Sequence, residues 1–172
     1  EFLAIAANGE DTFVRSPGGY AANVEAATCA ASDPRPAATA AMSEVATPGQ
    51  KTCEQVSAFL KVPLTGKVKL LVLRTATGEL CAVALRGDHQ LNEVKAARHP
   101  AIGPGFRLAD PEEVSTVFGC EVGYLGPVRS PIPVIADHAA AAVADFVCGA
   151  NRNDHHLQGA NWGRDCAEPE VA

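Results

Sequence analysis

Residues 86–95 read RGDHQLNEVK, and two apolar runs lead into them along the chain. The runs, 68–73 and 80–85, are short, rich in Val and Leu, and separated by a Thr-Gly pair. This pattern is typical of two buried, neighbouring strands joined by a turn. The decisive stretch therefore begins where the second predicted strand ends.

The local residue order then predicts a turn and a helix start. Gly87 follows the strand end at Arg86, and Asp88 stands where a helix cap is expected, with Leu91 and Val94 predicted to face inward. Polar side chains crowd this strand end: Arg86, Asp88, His89, Asn92, Glu93 and Lys95. Two interpretations stay open, a capped helix with a solvated face, or a binding site for a polar ligand.

Length and charge restrict the function classes. A chain of 172 residues that is 47% hydrophobic is most simply one domain with a real core. It has no run of about 18 apolar residues, and we expect no membrane partner. The first residue is Glu and not Met, so we expect an excised fragment or a processed chain. A net charge of −6 disfavours an independent nucleic-acid binder, and RNA contact would need a local patch, with candidates Lys67, Lys69, Arg74, Arg86 and Lys95.

The six cysteines contain no C-x-x-C pair, so a metal site is not predicted. No secretion signal is recognisable, and reduced thiols in a cytoplasmic protein are expected. Cys81 and Cys148 lie in apolar runs and are predicted core residues.

Further elements follow from capping and composition. Thr52 and Gln55 form a capping-box pattern for a helix over about 53–61, and 110–119 has the cap, proline and glycine signals of another. Residues 132–136 and 155–161 are predicted strands, and the alanine-rich stretch to Val147 is predicted to be helical.

The beginning of the chain is predicted to be less regular. EFLAIA at 1–6 is predicted to be a strand, 16–19 a turn, and 20–27 a short helix. Residues 28–46 are rich in Ala, Ser, Thr and Pro, and little regular structure is expected there. Because helices and strands mix without βαβ alternation, the predicted class is α+β: a mixed, curved β-sheet surrounded by helices.

Five strings in order carry a family resemblance: TPGQKT at 47–52, RGDHQLNEVKA at 86–96, GYLGP at 123–127, GAN at 149–151 and NWGRD at 161–165. Together they resemble the editing domain inserted in bacterial prolyl-tRNA synthetases, part of the YbaK/ProX-type family of aminoacyl-tRNA deacylases. The resemblance implies an editing domain over 46–172. It also implies that 1–45 is a remnant of the synthetase catalytic domain plus a linker.

The resemblance implies post-transfer editing, the hydrolysis of the ester in mischarged Ala-tRNA(Pro). Its implied partners are the tRNA(Pro) acceptor end and the rest of the synthetase, which ligates proline with ATP. Editing itself needs no cofactor; ATP and Mg belong to the synthetase domain. Two alternatives remain: a freestanding deacylase acting on Cys-tRNA(Pro) or another mischarged tRNA, and a catalytically silent insert that positions tRNA.

The same resemblance implies site residues. Its catalytic set maps onto Lys69, Asp137, His156, Gly123, Gly126 and Pro127. From the residues alone, the favoured interpretations are a solvated strand lysine for Lys69, a surface group for His156 and an ordinary turn for 123–127. Asp137 can be a helix cap and a functional carboxylate together. The implied amino-acid pocket maps onto Cys53 and Val56, and Arg86, Asp88 and His89 at the turn are further candidates for substrate binding.

Overall fold

The computed structural model of the chain describes residues 12–27 and 34–171. The strands there are β1 Phe13–Arg15, β2 Ala21–Asn23, β3 Ser43–Ala46, β4 Val68–Arg74, β5 Leu80–Arg86, β6 Arg107–Leu108, β7 Val134–Ala136, β8 Phe146–Gly149, β9 His155–Ala160 and β10 Glu170–Val171. The helices are α1 Cys53–Leu60, α2 Glu93–Ala96, α3 Pro111–Phe118 and α4 His138–Ala141, with a 3-10 turn at Leu64–Gly66. Among these helices, none is long and apolar enough to cross a membrane.

The strands form two larger sheets and one hairpin. Five strands make a mixed sheet in the order β10-β7-β5-β4-β6, with β4 and β5 antiparallel and β5 and β7 parallel. Three strands, β3-β9-β8, make an antiparallel sheet, and β1 pairs with β2. Mixed sheets with helices beside them confirm the predicted α+β class.

The five-stranded sheet is buried on both faces, which explains the nearly continuous apolar runs of its central strands. One face contributes Val68, Leu70, Val72, Ala82, Ala84 and Ala136 to the larger core cluster. The other contributes Leu73, Cys81, Val83, Leu85 and Ile135 to a second cluster that also contains Ala96 and Ile102.

Helices with complete local signals form as predicted. In α1, the Thr52 hydroxyl accepts from the Gln55 backbone N–H at 3.2 Å and the Gln55 side chain accepts from the Thr52 backbone N–H at 3.0 Å, closing the capping box. In α3, Glu113 accepts from the Asp110 backbone N–H at 2.8 Å, and Gly119 ends the helix in the left-handed conformation.

The predicted cap at Asp88 is wrong. Asn92 caps α2 by accepting from the Lys95 backbone N–H at 3.0 Å, and the helix is one turn long. Asp88 instead pairs with Arg86. Because the helix starts four residues later than predicted, Val94 points outward and is 42% exposed.

Three other predictions of local structure need correction. Helix α4 ends at Ala141, and 146–149 form a strand where the alanine-rich helix was expected to continue. The segment 21–23 is a strand and not part of a helix. Residues 43–46 of the supposed linker form β3, which pairs with β9 in the three-stranded sheet. The predicted EFLAIA strand lies outside the described residues.

Candidate active site

A cleft of about 250 Å³ opens beside the first half of β4. Strand β6 pairs with β4 only at Leu73 and Arg74, which leaves the earlier part of that strand edge uncovered. Helix α1, the loop at 122–125 and the ends of β8 and β9 close the space. We call it the lysine cleft, after its lining residues Lys67 and Lys69. Its lining also includes Cys53, Glu54, Val56, Leu71, Gln90, Gly123, Leu125, Cys148 and His156.

The two lysines differ in burial. Lys69 is half-buried, and its Nζ lies 3.3 Å from the Gly87 carbonyl oxygen. Lys67 is 3% exposed, and its Nζ donates to the Cys53 carbonyl at 2.9 Å. Burial lowers the pKa of the Lys67 ammonium below its ordinary value of 10.5, partly offset by the nearby Cys53 and Glu54. Each ammonium group lies against a backbone carbonyl oxygen, and both lysines line the cleft.

Two side chains set the remaining polarity of the cleft. Hydrogen bonds from its own backbone N–H and from Thr52 lower the pKa of Glu54, so its exposed carboxylate is ionised at neutral pH. Complete burial raises the pKa of the Cys148 thiol, which is therefore protonated and a poor nucleophile. The cleft thus offers cations, one anion and an apolar wall, but no thiolate at Cys148.

His156 is 3% exposed, and its side chain contacts two neighbouring loops. Its Nδ1 lies 2.6 Å from the Thr47 hydroxyl oxygen, and its ring contacts Tyr124 edge-on with centroids 5.8 Å apart. Burial, and then the charge of Lys67, lower the pKa of His156 to about 4, although a hydrogen bond to the Gly123 backbone opposes the shift. The imidazole is therefore neutral at pH 7 and ties β9 to two loops.

The loop at 123–127 is held by main-chain contact with β8. A Cβ on Gly126 would collide with the Gly149 carbonyl, and a Cβ on Gly149 would collide with the backbone of Tyr124. The Gly126 N–H donates to the Asn151 side chain at 2.8 Å, so it is not available to a ligand. The N–H groups of Gly123 and Leu125 have no acceptor among the described residues, and both residues line the cleft.

Four predicted site residues form a separate group, the Arg86 cluster: Arg86, Asp88, His89 and Asp137. Arg86 donates to both carboxylate oxygens of Asp88, at 2.7 and 2.9 Å, and to His89 Nε2 at 2.9 Å. Because arginine only donates, His89 carries its proton on Nδ1 and donates it to Asp137 at 3.2 Å. The hydrogen bonds with Arg86 also lower the pKa of Asp88.

Asp137 stands at the far end of this cluster. Its other carboxylate oxygen accepts from the Ala140 backbone N–H at 2.7 Å and caps α4. By the strand register, Leu85 lies between Lys69 and Asp137, so the two are about 10 Å apart on the same sheet face. The structure gives Asp137 two partners, both outside the lysine cleft.

The structure therefore brings together part of the predicted site. Cys53, Val56, Lys69, Gly123 and His156 line one cleft. Gly126, Pro127 and the four residues of the Arg86 cluster do not line it. Lys67 and Glu54 line it and were missing from the predicted set. Alternation along the strand puts Lys67 on the same side as Lys69, and this signal could have identified Lys67. Its burial was not predictable from local sequence, because it depends on a bridge to Val147, 80 positions along the chain.

Within residues 12–27 and 34–171, no group of three or more His, Cys, Asp or Glu side chains is arranged to bind a metal ion. The lysine cleft instead presents positive charge and backbone N–H groups, an arrangement suited to oxygen atoms that carry or develop negative charge.

Comparison with known proteins places this geometry in a family. The family model for the aminoacyl-tRNA editing domain matches residues 47–166. Proline–tRNA ligase of Delftia acidovorans is 46% identical over 99% of this chain and 32% of its own length. The corresponding ligase of Xanthomonas oryzae pv. oryzae is 50% identical over 99% of this chain and 30% of its own length. The chain thus spans about a third of the curated relatives it matches.

Solved structures show the same fold. A hypothetical protein shares 26% identity at a TM-score of 0.59, covering 69% of this chain and 79% of that one. A proposed trans-editing enzyme for prolyl tRNA synthetase shares 21% identity at a TM-score of 0.64, covering 76% of this chain and 84% of that one. With the family model matching well over half of the residues, the chain belongs to the aminoacyl-tRNA editing domain family, in the form that resembles the editing domain of prolyl-tRNA synthetases.

Proposed function

We propose that the lysine cleft hydrolyses the ester that joins alanine to the 3′ end of tRNA(Pro). The observation that carries the proposal is the pairing of two lysine ammonium groups with an apolar wall formed by Cys53 and Val56. A volume of about 250 Å³ is below the common range of ligand pockets, which suits a small aminoacyl group. The relatives, which are proline–tRNA ligases, supply the choice of tRNA(Pro).

The reaction adds water to the ester carbonyl carbon and then breaks the bond to the ribose oxygen, which takes up a proton. Products are alanine and deacylated tRNA. Negative charge develops on the carbonyl oxygen during this step, and the Lys69 ammonium with the free N–H groups of Gly123 and Leu125 can stabilise it. The Glu54 carboxylate, at the same cleft, is placed to bind the ammonium group of the amino acid.

Within this proposal His156 positions other groups and does not transfer a proton. A neutral imidazole with a pKa of about 4 and a partner at Nδ1 is a weak base at pH 7. Its contacts with Thr47 and Tyr124 hold the loop that carries Gly123. An aminoacyl ester is already activated, so a strong protein base is not required.

The relatives suggest the macromolecular partners and the cellular compartment of the reaction. The partners we propose are the tRNA(Pro) acceptor end and the remainder of a prolyl-tRNA synthetase, working in the cytoplasm. The chemistry draws on side chains, backbone N–H groups and water, so we propose that editing needs neither a metal nor a cofactor.

Single-turnover deacylation of purified Ala-, Cys- and Pro-tRNA(Pro) by this chain tests the proposal. We expect rapid release of alanine and much slower release of proline, because a hydrophobic slot can discriminate against the proline ring by its shape. Faster release of cysteine than of alanine would favour the alternative substrate. Absence of hydrolysis with all three would favour an insert that only positions tRNA.

A further inference from the structure

A second cleft of about 570 Å³ adjoins the lysine cleft. The two share Leu71 and Gln90 in their walls. The second cleft runs between β4, α2 and the segment 104–108, and its surface is largely apolar, with Leu91, Val94, Phe106 and Leu108. A molecule that fills both clefts must pass Gln90.

The side chain of Gln90 is available for hydrogen bonding to a ligand. Its side chain is exposed, and its carboxamide makes no hydrogen bond with another residue in the part of the chain that the structure describes. Neighbouring polar side chains are occupied: Arg86 and His89 bond within the Arg86 cluster, and Asn92 caps α2. A carboxamide offers a donor and an acceptor side by side.

The charges in the second cleft disfavour a phosphate. Arg107 lines it, but its guanidinium pairs with Asp110 at 3.3 Å and with Glu113 at 2.9 Å. Glu93, also in the lining, adds negative charge. A flat molecule with apolar faces and hydrogen-bonding edges matches these walls better than an anion, because it buries Phe106 and Leu108 without bringing like charges together.

We infer that the second cleft binds the adenine base of the terminal tRNA nucleotide. This rests on the proposed function, since the aminoacyl ester in the lysine cleft is attached directly to the sugar of that nucleotide. The base then lies on the apolar surface beside Phe106, where stacking is favourable. Gln90 reads the amino edge of adenine, a pairing that its carboxamide geometry supports, and Glu93 is available to the same exocyclic amine.

The test compares Gln90→Ala with the parent on two forms of Ala-tRNA(Pro), one ending in adenosine and one ending in purine riboside, which lacks the amino group. Gln158→Ala is the matched control, because Gln158 lines neither cleft. We expect Gln90→Ala to slow single-turnover hydrolysis of the adenosine form about tenfold, in the range of one lost base-edge contact. On the purine form, parent and variant should react at the same reduced rate.

Two results would overturn the inference: equal rates of parent and Gln90→Ala on the adenosine form, or an equal loss by Gln90→Ala on both forms. A separate binding measurement distinguishes this inference from the proposed function. If the parent hydrolyses no ester, the proposed function fails, and NMR titration with adenosine still tests the cleft. Shifts of Gln90 and Phe106 with adenosine, but not with uridine, support it; equal or absent shifts contradict it.

Discussion

The lysine cleft and the Arg86 cluster both concentrate charged side chains at one end of the same sheet, yet they differ in how those charges are satisfied. In the cluster, Arg86, Asp88, His89 and Asp137 bond to one another in a continuous chain. In the cleft, Lys67 and Lys69 each donate to a backbone carbonyl, and neither forms an ion pair with the residues that the structure describes. Charged side chains that bond to one another hold a turn in place. Charged side chains that line a cleft and bond only to backbone carbonyls remain available to a substrate.

The largest expected effect comes from the cleft. Lys69→Ala should slow single-turnover hydrolysis of Ala-tRNA(Pro) about a hundredfold, the usual result of removing one group that stabilises developing charge. Because the side chain is half-buried at a strand edge, the free energy of unfolding should change by only about 0.5 kcal/mol. Lys95→Ala, on exposed α2, is the control and should react like the parent. A parental rate for Lys69→Ala would remove the main chemical support for the editing proposal.

His156 should give the protein a pH-dependent stability. Its pKa is about 4 when folded and 6.5 as an ordinary histidine, so the unfolded chain binds more protons between these values. Stability is therefore complete above pH 6.5 and falls as pH drops toward 4, by about 3 kcal/mol for this shift. Chemical denaturation of the parent and of His156→Gln at several pH values measures the difference.

The glutamine variant keeps a polar partner for Thr47 but does not titrate. Its stability relative to the parent should rise as the medium is acidified. A constant difference between parent and variant across that range would show that the imidazole is not buried in its neutral form.

Lys67 should make the free energy of unfolding depend on pH with the same sign as His156 but to a smaller extent. Its folded pKa is lowered from 10.5, so the penalty for burying the charged group is present below the folded pKa and disappears as pH rises toward 10.5. At pH 7, Lys67→Met should match the parent in stability or exceed it by about 1 kcal/mol, because a buried charge is exchanged for an apolar side chain of similar length. The parent should gain on the variant at alkaline pH.

Lys67→Met should also reduce the hydrolysis rate, because Cys53 loses the donor that fixes its carbonyl beside the cleft. Because Lys67 is only 3% exposed, its substitution is not a neutral control for Lys69. A Lys67→Met variant that is strongly destabilised at pH 7, together with a parent that does not gain on it as the pH rises, would contradict the assigned burial of a charge.

The smallest effect is expected in the Arg86 cluster. Asp137→Ala should lower the free energy of unfolding by about 1 kcal/mol, the usual result of losing a helix cap, and should change the hydrolysis rate less than about threefold. Asp137→Asn keeps a cap acceptor and should stay close to the parent in both measurements. A hundredfold slower reaction with Asp137→Asn would show that this carboxylate takes part in hydrolysis. The Arg86 cluster would then not be a purely structural region.

Local signals predicted those parts of the fold that local forces determine. The Thr52 capping box and the cap, proline and glycine around α3 need only neighbours in sequence. The helix expected after Asp137 ends already at Ala141, and Asp145, four residues later, adopts a φ of 50° and is followed by the strand Phe146–Gly149. Asp145 is held there by Asn161, and no pattern within the alanine-rich stretch reports a partner so distant.

The candidate site divides in the same way. Residues that follow the pleat of β4 or the register of α1, such as Lys69 and Val56, reach the lysine cleft as expected. Residues assigned by proximity to the motif at 86–89 do not, because their hydrogen bonds turn them toward one another. Sequence shows which polar groups gather at a strand end, but it does not show whether they satisfy each other.

The contact between Gly126 and Gly149 has a consequence for engineering this domain. Since the two main chains touch with no side chain between them, the backbone alone fixes the position of Gly149, which lines the lysine cleft. Substitution at either glycine would have to displace a strand or a loop, whereas Cys53 and Val56 also line the cleft and can change size within one helix. A change in amino-acid preference is therefore best sought by substituting Cys53 and Val56, while Gly126 and Gly149 are left unchanged.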